Sequence, residues 1–527
     1  MDGSMTAHEA ELQERVFAFL TDPARQQRIQ RIDTHAASVF LEGDRALKIK
    51  RAVRLPFLDY STLAKRKAAC DAEIRINRRF APQIYHRVVA ITQRIDGSLA
   101  IDGDGSPVEY AVEMARFDES QTLDHLAESG SPDPDLIDSL ADTIAACHAV
   151  APPAPVGPWI NAIPGIIAGN TAAFRAAACF PADAIDDLDA TSRAAFERCH
   201  GLLRMRGAQG HVRRCHGDMH LANIVLIEGK PVLFDAIEFD ETIASVDVLY
   251  DLAFPIMDLI HHGRTAAANA LLNRYLGLTA ADHLGALGLL SLFLSMRAAI
   301  RAHVLLAQLD RGGGKADLSA TARRYFEQAC GAIHPPAPVL VAVGGLSGTG
   351  KSDLARALAP EIGPEPGAVV LRSDVLRKQH FGVAETERLP EAGYRPEITH
   401  EIYQKLLKRA AQILAQGHSV VVDAVFAEPA EREAVKAAAR TLGCRFVGLF
   451  LRADLASRLG RVAHRQRDAS DATPDIAGRQ EHYDIGALDW NLIDASASPA
   501  QTLRQSLSVI GPGAARPARP SIQDRLS

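Results

Sequence analysis

Two short stretches of this chain hold residue types at spacings suited to moving a phosphoryl group. Residues 214–235 read RCHGDMHLANIVLIEGKPVLFD. Asp218 and Asn223 fall on one polar loop, followed by an apolar run, a turn at Gly229, a second apolar run and Asp235. Phosphoryl transfer to a hydroxyl needs a carboxylate that positions the hydroxyl and takes its proton. It also needs an amide oxygen and a second carboxylate to hold Mg2+ on nucleotide phosphates. A lone His-x-Asp would be an ordinary capped loop. Here His216, Gly217, Asp218, His220, Asn223 and Asp235 fall in register with a strand–turn–strand. The second stretch, residues 345–352, reads GLSGTGKS and satisfies G-x-x-x-x-G-K-[ST] between an apolar run and a helical pattern. Gly345, Gly348 and Gly350 let backbone N–H groups wrap phosphates without a Cβ clash. Lys351 is placed to reach the β- and γ-phosphates and Ser352 to bind Mg2+, with the helix N-terminus adding its dipole.

Two more acids follow apolar runs nearby. Val369-Val370-Leu371-Arg372-Ser373-Asp374 and Val420-Val421-Val422-Asp423 read as parallel strands, which deliver their ends to the carboxyl edge where α/β sheets bind ligands. Asp374 is the candidate to orient and deprotonate an acceptor hydroxyl. Asp423 is the candidate to assist Mg2+ or touch the acceptor, and helix capping is the plainer role for either acid. In residues 454–467, DLASRLGRVAHRQR, Arg458, Arg461 and Arg465 recur at helical spacing and share a face. That face is expected to close over phosphates as a lid, with a solvated helix face as the alternative.

These groups need a scaffold. The seam Ile333-His334-Pro335-Pro336-Ala337-Pro338 forbids a continuing helix. The β-branched run at 339–343 then opens a new domain as a buried parallel strand. The expected division is a first domain over 30–333, a Pro-rich linker over 334–338, a P-loop domain over 339–510 and a flexible tail over 511–527. In the first domain, residues 36–60 alternate around a turn at Gly43-Asp44, 61–80 read as a helix, 86–117 as strands, and helices dominate from about 120. That is an α+β arrangement of a sheet-rich lobe and a larger helical lobe with a cleft between; the second domain is α/β with a parallel sheet. Hydrophobic residues at 47% and charged residues at 23% of 527 argue against a disordered or fibrous chain. A net charge of −6 lacks the basic footprint of a nucleic-acid coat. Seven scattered cysteines without Cys-x-x-Cys, and a polar start with no signal-peptide core, point to a cytoplasmic protein. The longest apolar stretch, around 284–296, reads as too short to span a bilayer.

The 214–235 segment resembles the catalytic loop of the aminoglycoside phosphotransferase family, relatives of the protein kinases. The resemblance implies a bilobal protein-kinase-like fold, Asp218 as catalytic base, and Asn223 and Asp235 as Mg2+ ligands. It implies Asp251 as a structural aspartate beyond the loop, with His216 and His220 as loop-shaping residues. The small lobe should then supply a strand lysine for the α- and β-phosphates, paired with a helix glutamate. Lys48 best fits that lysine and Glu73 its partner, with Lys50 competing from the same strand face. Residues 113–117, Glu-Met-Ala-Arg-Phe, resemble the hinge that holds adenine. No Gly-rich loop of protein-kinase spacing is present, so the turn at Gly43 is the expected cover for the phosphates. The second domain resembles small P-loop kinases of the gluconate kinase, chloramphenicol phosphotransferase and polynucleotide kinase types. R-S-D-V-L-R-K and D-A-S-D-A-T, residues 468–473, resemble a bacterial group of predicted kinases in which this ATP-binding domain follows an aminoglycoside-phosphotransferase-like one.

The expected protein is therefore an ATP-dependent phosphotransferase with ATP and Mg2+ in each half and a small molecule or other hydroxyl-bearing substrate as acceptor. No membrane partner is expected. Two readings remain beside it. One half would bind or hydrolyse ATP as a sensor, or the C-terminal half would phosphorylate nucleic-acid ends. The latter needs a basic channel, for which Arg372, Arg377, Lys378 and the arginines of residues 458–467 are candidates.

Overall fold

The computed structural model describes residues 7–22, 29–34, 36–55, 58–279, 282–309, 315–464 and 468–511. Arg465 and the tail beyond Gly511 lie outside the described residues. The chain groups into two compact units, Met1–Ile163 with Leu203–Asp258, and Pro164–Leu202 with Leu259–Ser527. This grouping does not divide at 334–338, which is an irregular connector between the helix Lys315–Ile333 and the strand Val339–Gly345.

The first unit carries a six-stranded antiparallel sheet in the order Gln30–Asp33, Ala37–Glu42, Arg45–Lys50, Ser106–Ala115, Tyr85–Gln93, Leu99–Ile101. Alternation sends Leu41, Ala46, Val112 and Met114 to one face and Phe40, Leu47, Ile49 and Ala111 to the other. The helix Leu63–Asn77, capped by the Thr62 side chain, covers the first face through Cys70 and Ile74. Lys48 and Lys50 lie on that face, and so does Glu73 on the covering helix. The second face is covered by a helix that a domain starting at residue 30 leaves out. Ala7–Leu20 packs Val16, Phe17 and Leu20, one helical stripe, onto Phe40, Leu47 and Ile49.

The strands Ile224–Ile227 and Lys230–Leu233 pair antiparallel through Glu228 and Gly229, at φ +51° and +75°. Two successive left-handed residues make the tight turn of a two-residue hairpin. The turn returns the chain so that the Phe234 N–H donates to the Asn223 carbonyl at 3.0 Å, which brings Asp235 back beside the loop it left.

In the second unit a five-stranded parallel sheet runs Val369–Arg372, Val420–Asp423, Val339–Gly345, Arg445–Arg452, Asn491–Asp494. Its central strand is buried along its length, as its unbroken apolar run requires in a sheet covered on both faces. The edge strand Val369–Arg372 is capped by the helix Thr265–Leu278. Asn273 Oδ1 accepts from the Val370 N–H at 2.7 Å, while Asn269 and Asn273 donate to the Ala368 carbonyl at 3.0 and 3.2 Å. Two side-chain amides thus pair backbone groups that an edge leaves open. Asn273→Ala is expected to lower stability by about 1–3 kcal/mol in urea unfolding. A change of only a few tenths would mean that water replaces the amide at this edge.

The helical stretch Leu284–Leu309 is long and apolar enough to cross a membrane by length and composition, contrary to the shorter span read from sequence; 72% of its most apolar window is buried inside the protein. All seven cysteines are free thiols.

Candidate functional site

In the first unit, Lys48 Nζ lies 2.8 Å from Glu73 Oε1 and 2.6 Å from Asp235 Oδ1. Lys50 Nζ takes the other glutamate oxygen at 2.6 Å and Glu238 Oε1 at 2.5 Å. The two lysines thus share Glu73 and part company beyond it, Lys48 turning to Asp235 and Lys50 to the segment that follows. Burial opposes the charge on Lys48, Lys50, Glu73 and Asp235, and mutual attraction overrides it. Glu73 and Asp235 are held below the usual carboxylate range by the lysines, and Lys48 is raised well above its ordinary value by Asp235 and Glu73. Asp235 is left-handed at φ +59°, a conformation that costs energy for a residue with a side chain. It is fixed by its N–H donating to Tyr85 Oη at 3.0 Å and by the Ala236 N–H donating to Asn77 Oδ1 at 2.7 Å.

The loop before it is held from beneath. Asp251 accepts from the N–H groups of His216 at 3.2 Å and Gly217 at 2.9 Å, and faces His148 Nε2 at 3.2 Å. Gly217 sits at φ +87°, where an added Cβ would also come within 3.0 Å of Ala244. His216 Nε2 is 2.9 Å from the Phe234 carbonyl, and its Nδ1 accepts from the Asp218 N–H at 3.3 Å. Burial lowers the His216 pKa, which keeps the ring neutral in that arrangement. Asn223 Nδ2 donates to the Asp218 carbonyl at 2.9 Å and to Asp218 Oδ2 at 3.3 Å. Its amide oxygen, the atom a hard cation takes, is not used by these bonds. The Asp218 side chain is 41% exposed.

The turn at Gly43 does not reach toward the phosphate lysine as expected. It packs against the segment expected to be the hinge, where the Arg116 N–H donates to the Asp44 carbonyl at 2.8 Å. With Arg116, Phe117 and Asp118 it lines a cavity of about 470 Å³. The hairpin register explains this, since Glu42 pairs with Arg45 next to Ala115, three residues short of Lys48.

In the second unit, Gly345, Gly348 and Gly350 adopt φ of +138°, +85° and +88°. A Cβ on Gly345 would lie 2.7 Å from the Leu451 carbonyl, and one on Gly348 2.5 Å from that of Arg458. Lys351 Nζ donates to the Leu346 carbonyl at 3.2 Å, which folds the lysine over its own loop. Ser352 Oγ donates to Asp423 Oδ2 at 2.6 Å, so the two expected metal ligands meet. Asp374 lies close enough to feel Asp423, Lys351 and Arg372. Burial, then the Asp423 carboxylate, raises its pKa above the ordinary aspartate value.

The arginine lid takes a different form. Arg458 is 1% exposed and spends its guanidinium on the Ser347 carbonyl at 3.0 Å, the Ala477 carbonyl at 2.8 Å and Glu481 at 2.5 Å. It braces the loop from behind, and Gln480 Oε1 accepts the Ser347 N–H at 2.7 Å from the same side. Arg461 bonds the Ala495 carbonyl at 2.7 Å, and Arg465 falls outside the described residues. Helical spacing identifies a common face but not what that face meets. The cations offered for a basic channel are also engaged. Arg377 is 5% exposed and donates to the Gly393 carbonyl, and Lys378 is 0% exposed and held by both oxygens of Asp471 at 2.7 Å. Gln480, Asp468 and Asp471 meet Ser347, Arg372 and Lys378, and only the two aspartates lie in the D-A-S-D-A-T stretch that the sequence marks.

A bilobal protein-kinase-like domain with this lysine–glutamate–aspartate arrangement, followed by a P-loop α/β domain, defines a phosphotransferase of kinase type. The sequence model of the phosphotransferase enzyme family matches residues 24–288, half of the chain, and an AAA domain model matches 340–481. The chain belongs to the phosphotransferase enzyme family. An uncharacterised protein of Mycobacterium tuberculosis (strain ATCC 25618 / H37Rv) is 29% identical over 466 residues, which is 86% of this chain and 90% of that one. Among solved structures, a gluconokinase from Sinorhizobium meliloti is 20% identical over 33% of this chain and 93% of its own, at a TM-score of 0.25. A choline/ethanolamine kinase family protein from Mesorhizobium loti is 13% identical over 61% of this chain and 99% of its own, at a TM-score of 0.37.

Proposed function

We propose that the protein is an ATP-dependent phosphotransferase with two separate metal–nucleotide sites, each serving transfer to a hydroxyl. The observation that carries this is the Lys48 ammonium held between Glu73 and Asp235, in the unit that also holds the Asp218–Asn223 loop. The donor sets fit MgATP in both halves. Asn223 and Asp235 offer an amide oxygen and a carboxylate for the metal, and Lys48 a fixed cation for phosphates. In the other half Ser352 and Asp423 offer a hydroxyl and a carboxylate 2.6 Å apart, beside a glycine cradle whose backbone tolerates no Cβ at Gly345 or Gly348. Bound MgATP would supply the phosphoryl group and part of the charge neutralisation. Asp218 and Asp374 orient the acceptor hydroxyl and take its proton, while Lys48 and Lys351 fix the phosphates against them.

The test uses wild type, Asp218→Ala and Lys351→Ala with γ-labelled ATP, Mg2+ and a fractionated extract of small molecules, RNA and proteins. Label entering one fraction and falling about 10²-fold or more in only one variant would name the acceptor class and the half responsible. Label released only as phosphate in every fraction would replace transfer with ATP hydrolysis or sensing. Full transfer in the double variant would sink the assignment of both centres.

A further inference from the structure

Arg372 ends the edge strand Val369–Arg372, two residues before Asp374. Its guanidinium lies 3.1 Å from Ser352 Oγ and 3.4 Å from Asp423 Oδ2, the two atoms assigned to the metal, and 2.8 Å from Asp468 Oδ1. The side chain is 12% exposed, so little water stands between its charge and theirs. Asp468 has a second tie, accepting the Ser470 N–H at 2.9 Å, and so presents a fixed anchor. The strand itself is pinned on its open edge by Asn273, so the guanidinium is delivered from a rigid base. A dication held by Ser352 and Asp423 would share oxygens with a monocation a few ångströms away. At that range, in a partly dry site, like charges repel strongly enough to change affinity by an order of magnitude.

We propose that Arg372 is an intrinsic counter-cation of the P-loop metal site, competing with the divalent ion for Ser352 and Asp423 and held in place by Asp468 so as to set the site's metal affinity. This rests on Ser352 and Asp423 being the metal ligands. The consequence is selectivity. A bare divalent ion meets the arginine's charge, whereas an ion arriving on nucleotide phosphates brings anions that offset it, so the site takes metal–nucleotide in preference to free metal.

The readout is Mn2+ binding to the nucleotide-free full-length protein, followed by the electron paramagnetic resonance signal of free Mn2+. The component of the isotherm lost in Asp423→Ala belongs to the P-loop site. Where wild type binds too weakly to resolve it, the same component is defined by comparing Arg372→Met with the Arg372→Met, Asp423→Ala double variant. Arg372→Met and Arg372→Gln, checked for native circular dichroism, are expected to tighten that component by roughly tenfold or more. Arg372→Lys, which keeps the charge, should stay within about threefold of wild type. Unchanged affinity in whichever uncharged variant folds would overturn the proposal. Retention of every Mn2+ component in both Asp423→Ala backgrounds would instead remove the metal site on which it rests.

Discussion

Lys48→Met is expected to slow phosphoryl transfer by the first half by about 10²–10³-fold, whereas Lys50→Met should leave kcat near wild type and chiefly lower stability. The two lysines look equivalent by position, since both share a strand face and both meet Glu73. They differ in their second partner. Lys48 is drawn to Asp235, the carboxylate proposed for the metal, so its charge stands where phosphate charge would be neutralised. Lys50 is drawn to Glu238, which is 6% exposed at its side chain, and Tyr60 Oη donates to the same glutamate oxygen at 3.3 Å. Removing Lys50 takes the cation from the buried Glu238 carboxylate and leaves it the Tyr60 hydroxyl, a loss of up to about 3–5 kcal/mol. Removing Lys48 leaves Glu73 still paired with Lys50, so the melting temperature should fall less than in Lys50→Met. Steady-state kinetics below both melting transitions separates the effects. A steep loss of kcat in Lys50→Met at unchanged melting temperature would exchange the two roles.

What was legible in the sequence follows from how local the determining contacts are. The hairpin that returns Asp235, the glycine cradle and the strands ending near Asp374 and Asp423 are set by residues within a few positions of one another, and spacing suffices to read them. Lys48 and Glu73 were placed only as candidates, because a strand face holds two lysines and the choice depends on Asp235 and Glu238, some 187 and 188 residues away. The Gly43 turn announces its own geometry but not which end of the hairpin lies near Lys48, and the register sets it beside Ala115 instead. Arg458 shows the same limit, since its partners Ser347 and Ala477 come from two different segments. The helix Ala7–Leu20 carries a readable apolar stripe at Val16, Phe17 and Leu20, but the mostly polar residues ahead of it disguise it as a solvated chain start. The amide cap of Asn269 and Asn273 on a strand edge about 100 residues later has no local signature at all.

Asp374→Asn should abolish most transfer by the P-loop half, about 10²–10⁴-fold, and at the same time make the protein more stable at neutral pH. The two effects share one cause. Burial, and next the Asp423 carboxylate, raise the Asp374 pKa in the folded protein above its value in the unfolded chain. Below the ordinary aspartate range both states hold the proton and the residue costs nothing. As pH rises through the raised pKa, the folded state must ionise in surroundings that resist the charge, so stability is lost with increasing pH. Asparagine keeps the shape and removes that charge. Its advantage in melting temperature should therefore be present at neutral pH, shrink as pH falls through the shifted pKa, and vanish in acid. Activity runs the other way, because only the ionised carboxylate can take a proton from the acceptor, and transfer should rise with pH through a midpoint above the usual aspartate value. Melting curves of both proteins across pH check the first half, and the pH profile of kcat/KM checks the second. An Asp374→Asn variant that is inactive yet no more stable at neutral pH would show that Lys351, Arg372 and Ser470 already balance the charge. The candidate base would then sit in a site built to hold it ionised, with none of the electrostatic strain that the Asp423 carboxylate beside it implies.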